Sequence, residues 1–359
     1  MTHRTARQRR VGGHLAAAAL ALLLAGCASV TPQKIPGDRL EYGDVIAESW
    51  KQQTLLNVVR IRYGDAPMFL DVASIINSYS VSGKANASLE VPSSANSNVF
   101  RIGTEGTWSN TPTVTYQPLL GARFTNSMLQ PVPPSSILRL VQSGWSARVV
   151  FPIVMRSVNT LRNASAGVPA DPRFNELIDT LDRIQAAGGL DMRVLPRKDG
   201  TAVVMILPNE LEDGPLLGAA RRQMAELLGI REDVTEVEIV YGRSARGGAE
   251  IAMITRSMLE IMLELGFSVD LPEEHAANGF ALPGRAKPGD GPAARIVRIR
   301  SGAEAPADAY AAVNYQGHWF WIDGNDIASK STFTFMLILF SLAETGQSAS
   351  VPVVTVPSR

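Results

Sequence analysis

The sequence predicts a helix followed by two strands in residues 171–207, DPRFNELIDTLDRIQAAGGLDMRVLPRKDGTAVVMIL. Asp171 and Pro172 form an N-cap followed by proline at the first helical position, and apolar side chains then recur at helical spacing. A glycine pair ends this helix, and two apolar runs flank a polar turn at 197–200. A capped helix beside a hairpin of this kind predicts an α+β fold with mainly antiparallel strands.

The same signals predict further elements on both sides of this unit. Helices are predicted at 44–63, 135–144, 148–163, 215–228, 251–265 and 332–342, and strands at 190–195, 201–207, 234–241, 295–300, 310–315, 318–323 and 351–356. The last helix is very apolar, but about a dozen residues are too few to cross a bilayer, so we expect it in the core.

These elements divide the mature chain into three parts. An α+β region at 44–270 comes first and contains most of the predicted elements. The run at 271–292 is rich in glycine and proline and is predicted to be a loop. A C-terminal α+β segment at 293–359 follows, and we expect it to pack on the same core.

Residues 79–91 alternate strictly between apolar or small side chains and polar ones. A second alternating run at 99–108 follows a polar, turn-rich stretch, so the sequence predicts a long β-hairpin at 79–108, with a further strand at 113–117. Two interpretations of this hairpin remain open. Such alternation is typical of a sheet half-buried against protein. Strands of this length also suit a membrane if several copies each contribute one hairpin.

The N-terminus has the composition of an export signal. Residues 1–26 contain four arginines and no acidic side chain, and the run at 15–24 is apolar. About ten apolar residues are too few for a helix that crosses a ~30 Å hydrocarbon core. The segment is therefore predicted to be a signal peptide that is removed from the mature protein.

The sequence LAGC occupies positions 24–27, directly after the apolar run. It resembles the lipobox of bacterial lipoprotein precursors, whose cysteine is lipidated before the signal peptide at 1–26 is cleaved. The resemblance ends at the cysteine; it implies lipidation of Cys27 and a tether at 27–43. In such lipoproteins an aspartate directly after the cysteine favours the inner membrane. Ala28 stands there, so the resemblance implies the periplasmic face of the bacterial outer membrane.

Charge and cysteine content exclude several classes of function. The whole chain has 34 basic and 34 acidic side chains, and without its basic leader the mature chain is mildly acidic. Nucleic-acid binders concentrate lysine and arginine, so we expect no nucleic-acid partner. Cys27 is the only cysteine, which excludes an intrachain disulfide, a second thiol nucleophile and a thiolate metal site.

Candidate catalytic residues are few. The mature chain has two histidines: His275 lies in the predicted loop after two glutamates and is expected in solvent, whereas His318 begins a predicted strand and is expected at the surface or partly buried. The glycine-rich run at 242–247 is one residue too long for a serine nucleophile elbow, and 323–326 is interpreted as a turn and helix cap. We therefore expect no catalytic, cofactor-binding or metal residue, and lipidation of Cys27 as the functional modification.

These observations favour a membrane-anchored lipoprotein of the bacterial cell envelope with a binding, structural or assembly role and no enzymatic activity. The expected partner is the membrane, through the lipid anchor. Association with other envelope proteins or with further copies of the chain is left open. The alternative function is a lipid-anchored periplasmic hydrolase with carboxylate acid and base residues, which spacing along one sequence does not reveal.

Overall fold

The computed structural model describes residues 35–90, 99–197, 200–207, 214–231, 233–283 and 295–344. The predicted signal peptide, Cys27, the first part of the predicted tether, residues 284–292 of the glycine-rich loop and the predicted strand at 351–356 lie outside the described residues. Within them, helices alternate with mainly antiparallel strands, so the predicted α+β fold class is confirmed.

Nine α-helices occur in the described part of the chain. They are α1 (Ile35–Arg62), α2 (Gly121–Phe124), α3 (Pro134–Gln142), α4 (Ala147–Val154), α5 (Pro172–Ala186), α6 (Pro215–Leu228), α7 (Met258–Gly266), α8 (Glu273–Ala277) and α9 (Ile327–Glu344). A short π-helix, Thr125–Leu129, follows α2 directly. Because α1 begins at Ile35 rather than at position 44, the second half of the predicted tether is helical.

The described strands form three sheets. They are β1 (Leu70–Glu90), β2 (Val99–Pro118), β3 (Met155–Val158), β4 (Leu161–Arg162), β5 (Asp191–Arg197), β6 (Gly200–Ile206), β7 (Glu236–Tyr241), β8 (Glu250–Thr255), β9 (Arg300–Gly302), β10 (Ala311–Tyr315) and β11 (His318–Ile322). The largest sheet has the order β4-β3-β8-β7-β6-β5, in which β7 and β8 are parallel and the other neighbours are antiparallel.

Residues 251–265, predicted as one helix, divide into β8 and α7. Ser257 begins the helix with a capping box: its side chain accepts from the Glu260 N–H, and the Glu260 carboxylate accepts from the Ser257 N–H. β8 lies between β3 and β7, and most of its residues are buried, so its apolar run has no polar alternation. The helix prediction was wrong here because a continuous apolar run is common to buried strands and buried helices.

Two other predicted elements also differ from the structure. The helix predicted at 148–163 ends at Val154, just after Pro152, and the chain continues as β3 and β4. Of the strand predicted at 295–300, only Arg300 belongs to a strand, the short β9. By contrast, the predicted strands at 190–207 are present as the antiparallel pair β5 and β6.

β1 and β2 form a two-stranded antiparallel sheet of their own. Their register runs from Leu70 opposite Pro118 to Glu90 opposite Val99, with one irregularity between Val72 and Ser74. The separate strand predicted at 113–117 is the last part of β2, because these residues continue the same pairing with β1.

The third sheet has the order β10-β11-β9; β10 packs against α1, and Tyr310, just before β10, contacts Phe333 of α9. Phe333, Phe335 and Met336 of α9 are buried, and they belong to one hydrophobic core that also includes residues of α1, α5 and the large sheet. None of the helices in the described part of the chain combines the length and apolar character that a membrane crossing requires.

Candidate functional site

Three potential ligand side chains come together where α8 faces the start of β11. We call Glu274, His275 and His318 the histidine cluster. Glu274 and His275 lie on α8, which begins directly after Pro272. His318 is the first residue of β11, and the tight turn at Gln316 and Gly317, both with positive φ, directs it toward α8.

The distances within the histidine cluster leave a gap between the three polar groups. The Oε1 atom of Glu274 lies 3.7 Å from Nε2 of His275 and 3.5 Å from Nε2 of His318. Both separations exceed the usual N–H···O hydrogen-bond length of about 2.9 Å. The two imidazole rings are 4.7 Å apart between centroids in an edge-to-face arrangement. The three groups therefore face one another at the distance of an ion pair rather than of a hydrogen bond.

Tyr63, directly after α1, holds the buried histidine in place. Its hydroxyl lies 2.6 Å from Nδ1 of His275, and the two rings meet edge to face. Burial, together with the nearby Tyr315, raises the pKa of Tyr63 to about 12. The phenol is therefore neutral at physiological pH, and the hydrogen bond fixes the orientation of the His275 ring.

The surroundings of the histidine cluster are aromatic on one side and open on the other. Tyr63 also packs edge to face against Tyr315 and Phe320, and the Tyr315 hydroxyl donates to Asp65. The side chain of Glu274 is 66% exposed, whereas that of His275 is only 8% exposed. The Glu274 carboxylate therefore lies on the solvent side of the cluster, and solvent can still reach it.

The sequence did not predict this cluster, and the expectation that His275 is solvated was wrong. His275 is buried because α8 forms inside the predicted loop and turns the ring toward Tyr63 and Phe280. His318 is partly buried, as expected, and its Nδ1 atom is buried with no hydrogen-bond partner among the described residues. The sequence signal was weak. His275 follows two glutamates and His318 precedes a tryptophan, but neither pattern predicts that the two histidines lie next to each other.

A second candidate site lies where the hairpin joins the rest of the fold. Asn57 of α1 is fully buried; its amide nitrogen donates to the Met68 carbonyl at 2.7 Å, and its amide oxygen accepts from the Met68 N–H at 2.9 Å. On the other strand, the Leu119 N–H donates to the Phe69 carbonyl. The Asn57 bonds fix the segment before β1 to α1, and the Leu119–Phe69 bond joins the residue after β2 to that same segment.

Beside this attachment is an apolar groove of about 700 Å³, which we call the root groove. It lies between α1, the first residues of β1, the last residues of β2 and the end of α9. Its main apolar lining residues are Trp50, Phe69, Leu70, Tyr116, Met128 and Phe340. Tyr116 is 58% exposed, so the groove presents an aromatic side chain to solvent.

The remaining sequence expectations concern single segments. Cys27 lies outside the described residues, so its lipidation stays a prediction. The residues at 323–326 form the predicted turn and cap: Asp326 accepts from the N–H and the hydroxyl of Ser329 in the first turn of α9. The run at 242–247 connects β7 to β8 as a loop, as the alternative to a nucleophile elbow requires.

No protein-family model, curated protein or solved structure matches this chain.

Proposed function

We propose that this chain is a lipid-anchored protein of the bacterial cell envelope with a binding or assembly role, held through acylated Cys27 at the periplasmic face of the outer membrane. The observation that carries the proposal is the sequence LAGC at 24–27, directly after a basic and apolar leader. Cys27 is also the only cysteine of the chain, so no disulfide competes for its thiol.

The shape of the hairpin supports the binding or assembly role. In the described sheets, β1 pairs with β2 and with no other strand, although the two strands are 21 and 20 residues long. A two-stranded ribbon is only marginally stable in water, and its outer edges present unpaired backbone groups. In this proposal the ribbon is the element that contacts a partner, and the partner is another envelope protein. The simplest such partner is a second copy of the chain.

Lipidation is tested by replacing Cys27 with serine in cells that are fed radiolabelled palmitate. We expect the wild-type protein to incorporate label and to fractionate with the outer membrane. The Cys27→Ser variant should carry no label and accumulate as uncleaved precursor or as a protein released from the membrane fraction, because the acylated thiol is absent.

A matched variant separates lipidation from sorting. Ala28→Asp keeps Cys27, so it should incorporate palmitate as the wild type does, but it should move to the inner-membrane fraction of a density gradient. Equal labelling of wild type and Cys27→Ser would refute the anchor, and an unchanged position of labelled Ala28→Asp would refute the proposed sorting.

A further inference from the structure

We propose that the histidine cluster is a binding site for a divalent transition-metal ion, with Nε2 of His275, Nε2 of His318 and the carboxylate of Glu274 as the three protein ligands. Zn²⁺ is the ion that this set fits best. The site is independent of the lipid anchor and adds a function that the envelope role does not require.

The first argument is the spacing of the ligand atoms. One ligand atom from each of the three residues lies within 4.8 Å of the other two, and the two measured O···N separations are 3.5 and 3.7 Å. Ligands bound tetrahedrally at about 2.0–2.1 Å from Zn²⁺ are separated from each other by about 3.3 Å. The observed separations are thus close to those around a bound ion and too long for direct hydrogen bonds.

The second argument is the support of the ligand set by its neighbours. Histidines that bind metals usually donate their other ring N–H to an oxygen, which fixes the tautomer and the ring plane. The Tyr63 hydroxyl lies 2.6 Å from Nδ1 of His275. When Nδ1 donates to this oxygen, Nε2 carries the lone pair of the ring and is available to the ion.

The third argument is the choice of donor atoms. Two imidazoles and one carboxylate suit Zn²⁺ and its transition-metal neighbours, whereas Mg²⁺ and Ca²⁺ prefer all-oxygen sites. Three protein ligands leave one tetrahedral position for water. The exposed side of the cluster, where 66% of the Glu274 side chain is accessible, gives that water its entry.

The bound ion would also join two parts of the fold. α8 and β11 are far apart in sequence, and the rings of His275 and His318 meet between them. An ion that takes ligands from both elements stabilises the folded chain by mass action, because the unfolded chain lacks the assembled site.

The test uses the full-length chain, extracted in detergent and purified with a tag that contains no histidine. After removal of metals with a chelator, equilibrium dialysis against Zn²⁺ should show one ion bound per chain. Saturating Zn²⁺ should raise the melting temperature by about 3 °C or more. An excess of Mg²⁺ or Ca²⁺ should not displace the bound Zn²⁺.

Two variants remove ligands, and one matched variant does not. Glu274→Gln and His318→Gln should each weaken Zn²⁺ binding by about tenfold or more, as loss of a supporting group alone already does. Glu273→Gln changes the neighbouring exposed carboxylate on the same helix, which is outside the cluster, and should bind as the wild type does. Tyr63→Phe removes the support of His275 and should weaken binding by about tenfold.

Replacement of the bound ion by Co²⁺ gives an independent readout. A tetrahedral Co²⁺ site with nitrogen and oxygen ligands should produce visible absorption in the wild type and in Glu273→Gln, and Glu274→Gln should need about tenfold or more Co²⁺ to reach half of its maximal absorption. Because Glu274 is exposed, this variant should fold even if His318→Gln does not. Absence of stoichiometric Zn²⁺ from the wild type, or equal Zn²⁺ affinity of Glu274→Gln and Glu273→Gln, would overturn the proposal.

Discussion

Arg256 is a charged side chain enclosed by the core, with 2% of its surface exposed. Its guanidinium donates to the carbonyl oxygens of Pro152 at 2.9 Å, Ile153 at 3.0 Å and Ala164. Burial lowers the pKa of Arg256 from its ordinary value, and the nearby Glu264 and Glu260 oppose this shift. The residue ties the end of α4 and the loop after β4 to the junction between β8 and α7.

Replacing Arg256 with methionine should lower the free energy of unfolding by about 3 kcal/mol, because the carbonyl groups of Pro152, Ile153 and Ala164 each lose the hydrogen bond from the guanidinium. Urea denaturation followed by circular dichroism measures the loss. Arg156→Met is the matched control: its side chain is 55% exposed and forms one ion pair with Glu260, so the expected loss is below about 1 kcal/mol. Similar losses in both variants would contradict the structural role of the buried guanidinium.

The roles of single residues were predictable where the interacting residues are close together in the sequence. The cap at Asp171 and the turn at 323–326 both involve residues within three positions of each other, and the structure contains both. The histidine cluster was not predictable, because His275 and His318 are brought together by the packing of α8 on β11. Arg256 was missed for the same reason, since its carbonyl partners lie about a hundred positions away in the chain.

At the level of elements, helices with a cap or a proline at their start were predicted most accurately. The structure has α5 at Pro172–Ala186 and α6 at Pro215–Leu228, close to the sequence expectation. Errors occurred in apolar runs without alternation, such as the run that forms β8 and α7. Hydrophobicity there reports burial, and burial is compatible with either backbone conformation.

Asp171→Ala tests the cap of α5. The Asp171 side chain accepts from the Arg173 N–H at 2.9 Å, so its removal leaves a backbone donor at the helix N-terminus without that partner. The free energy of unfolding should fall by about 1 kcal/mol in a urea titration.

Asp233→Ala is the control for this cap. Asp233 is an exposed aspartate that forms an ion pair with Arg231, and its replacement should change the free energy of unfolding by no more than about 0.5 kcal/mol. A loss for Asp171→Ala as small as that of the control would mean that the cap contributes nothing measurable.

At the level of the whole molecule, the α+β class followed from the sequence, but the extent of the β1–β2 ribbon did not. Alternation marked its outer part, whereas the strands continue toward α1 through Leu70 and Pro118, where apolar and polar residues no longer alternate regularly. The root groove was also unpredictable, because α1, the ribbon and α9 form it together.

Shortening the ribbon tests whether it is the contact element. Ile76 pairs with Thr113, so replacing residues 77–112 with Asn-Gly joins these partners through a two-residue turn. The lipidated variant, reconstituted in vesicles, should keep the melting temperature of the wild type within about 4 °C, since the ribbon forms its own sheet. It should lose the cross-linked dimers and larger species that an amine-reactive reagent produces with the wild type.

Leu216→Ser is the control for the shortened ribbon. Leu216 is 74% exposed on α6, so this substitution should leave cross-linking unchanged. Undiminished cross-linking of the shortened variant would exclude the ribbon as the surface through which copies associate.

If Cys27 is acylated as proposed, the position at which α1 begins limits the distance between the membrane and the folded protein. Seven residues lie between an acylated Cys27 and Ile35, so eight steps of about 3.5 Å allow at most about 28 Å of extended chain. The β2 strand alone, 20 residues at about 3.4 Å, is more than twice as long, roughly 68 Å. Anchored copies would therefore meet within a thin layer at the membrane surface, where the effective concentration of tethered molecules reaches the millimolar range. Ribbon contacts too weak to survive dilution in solution would then suffice on the membrane.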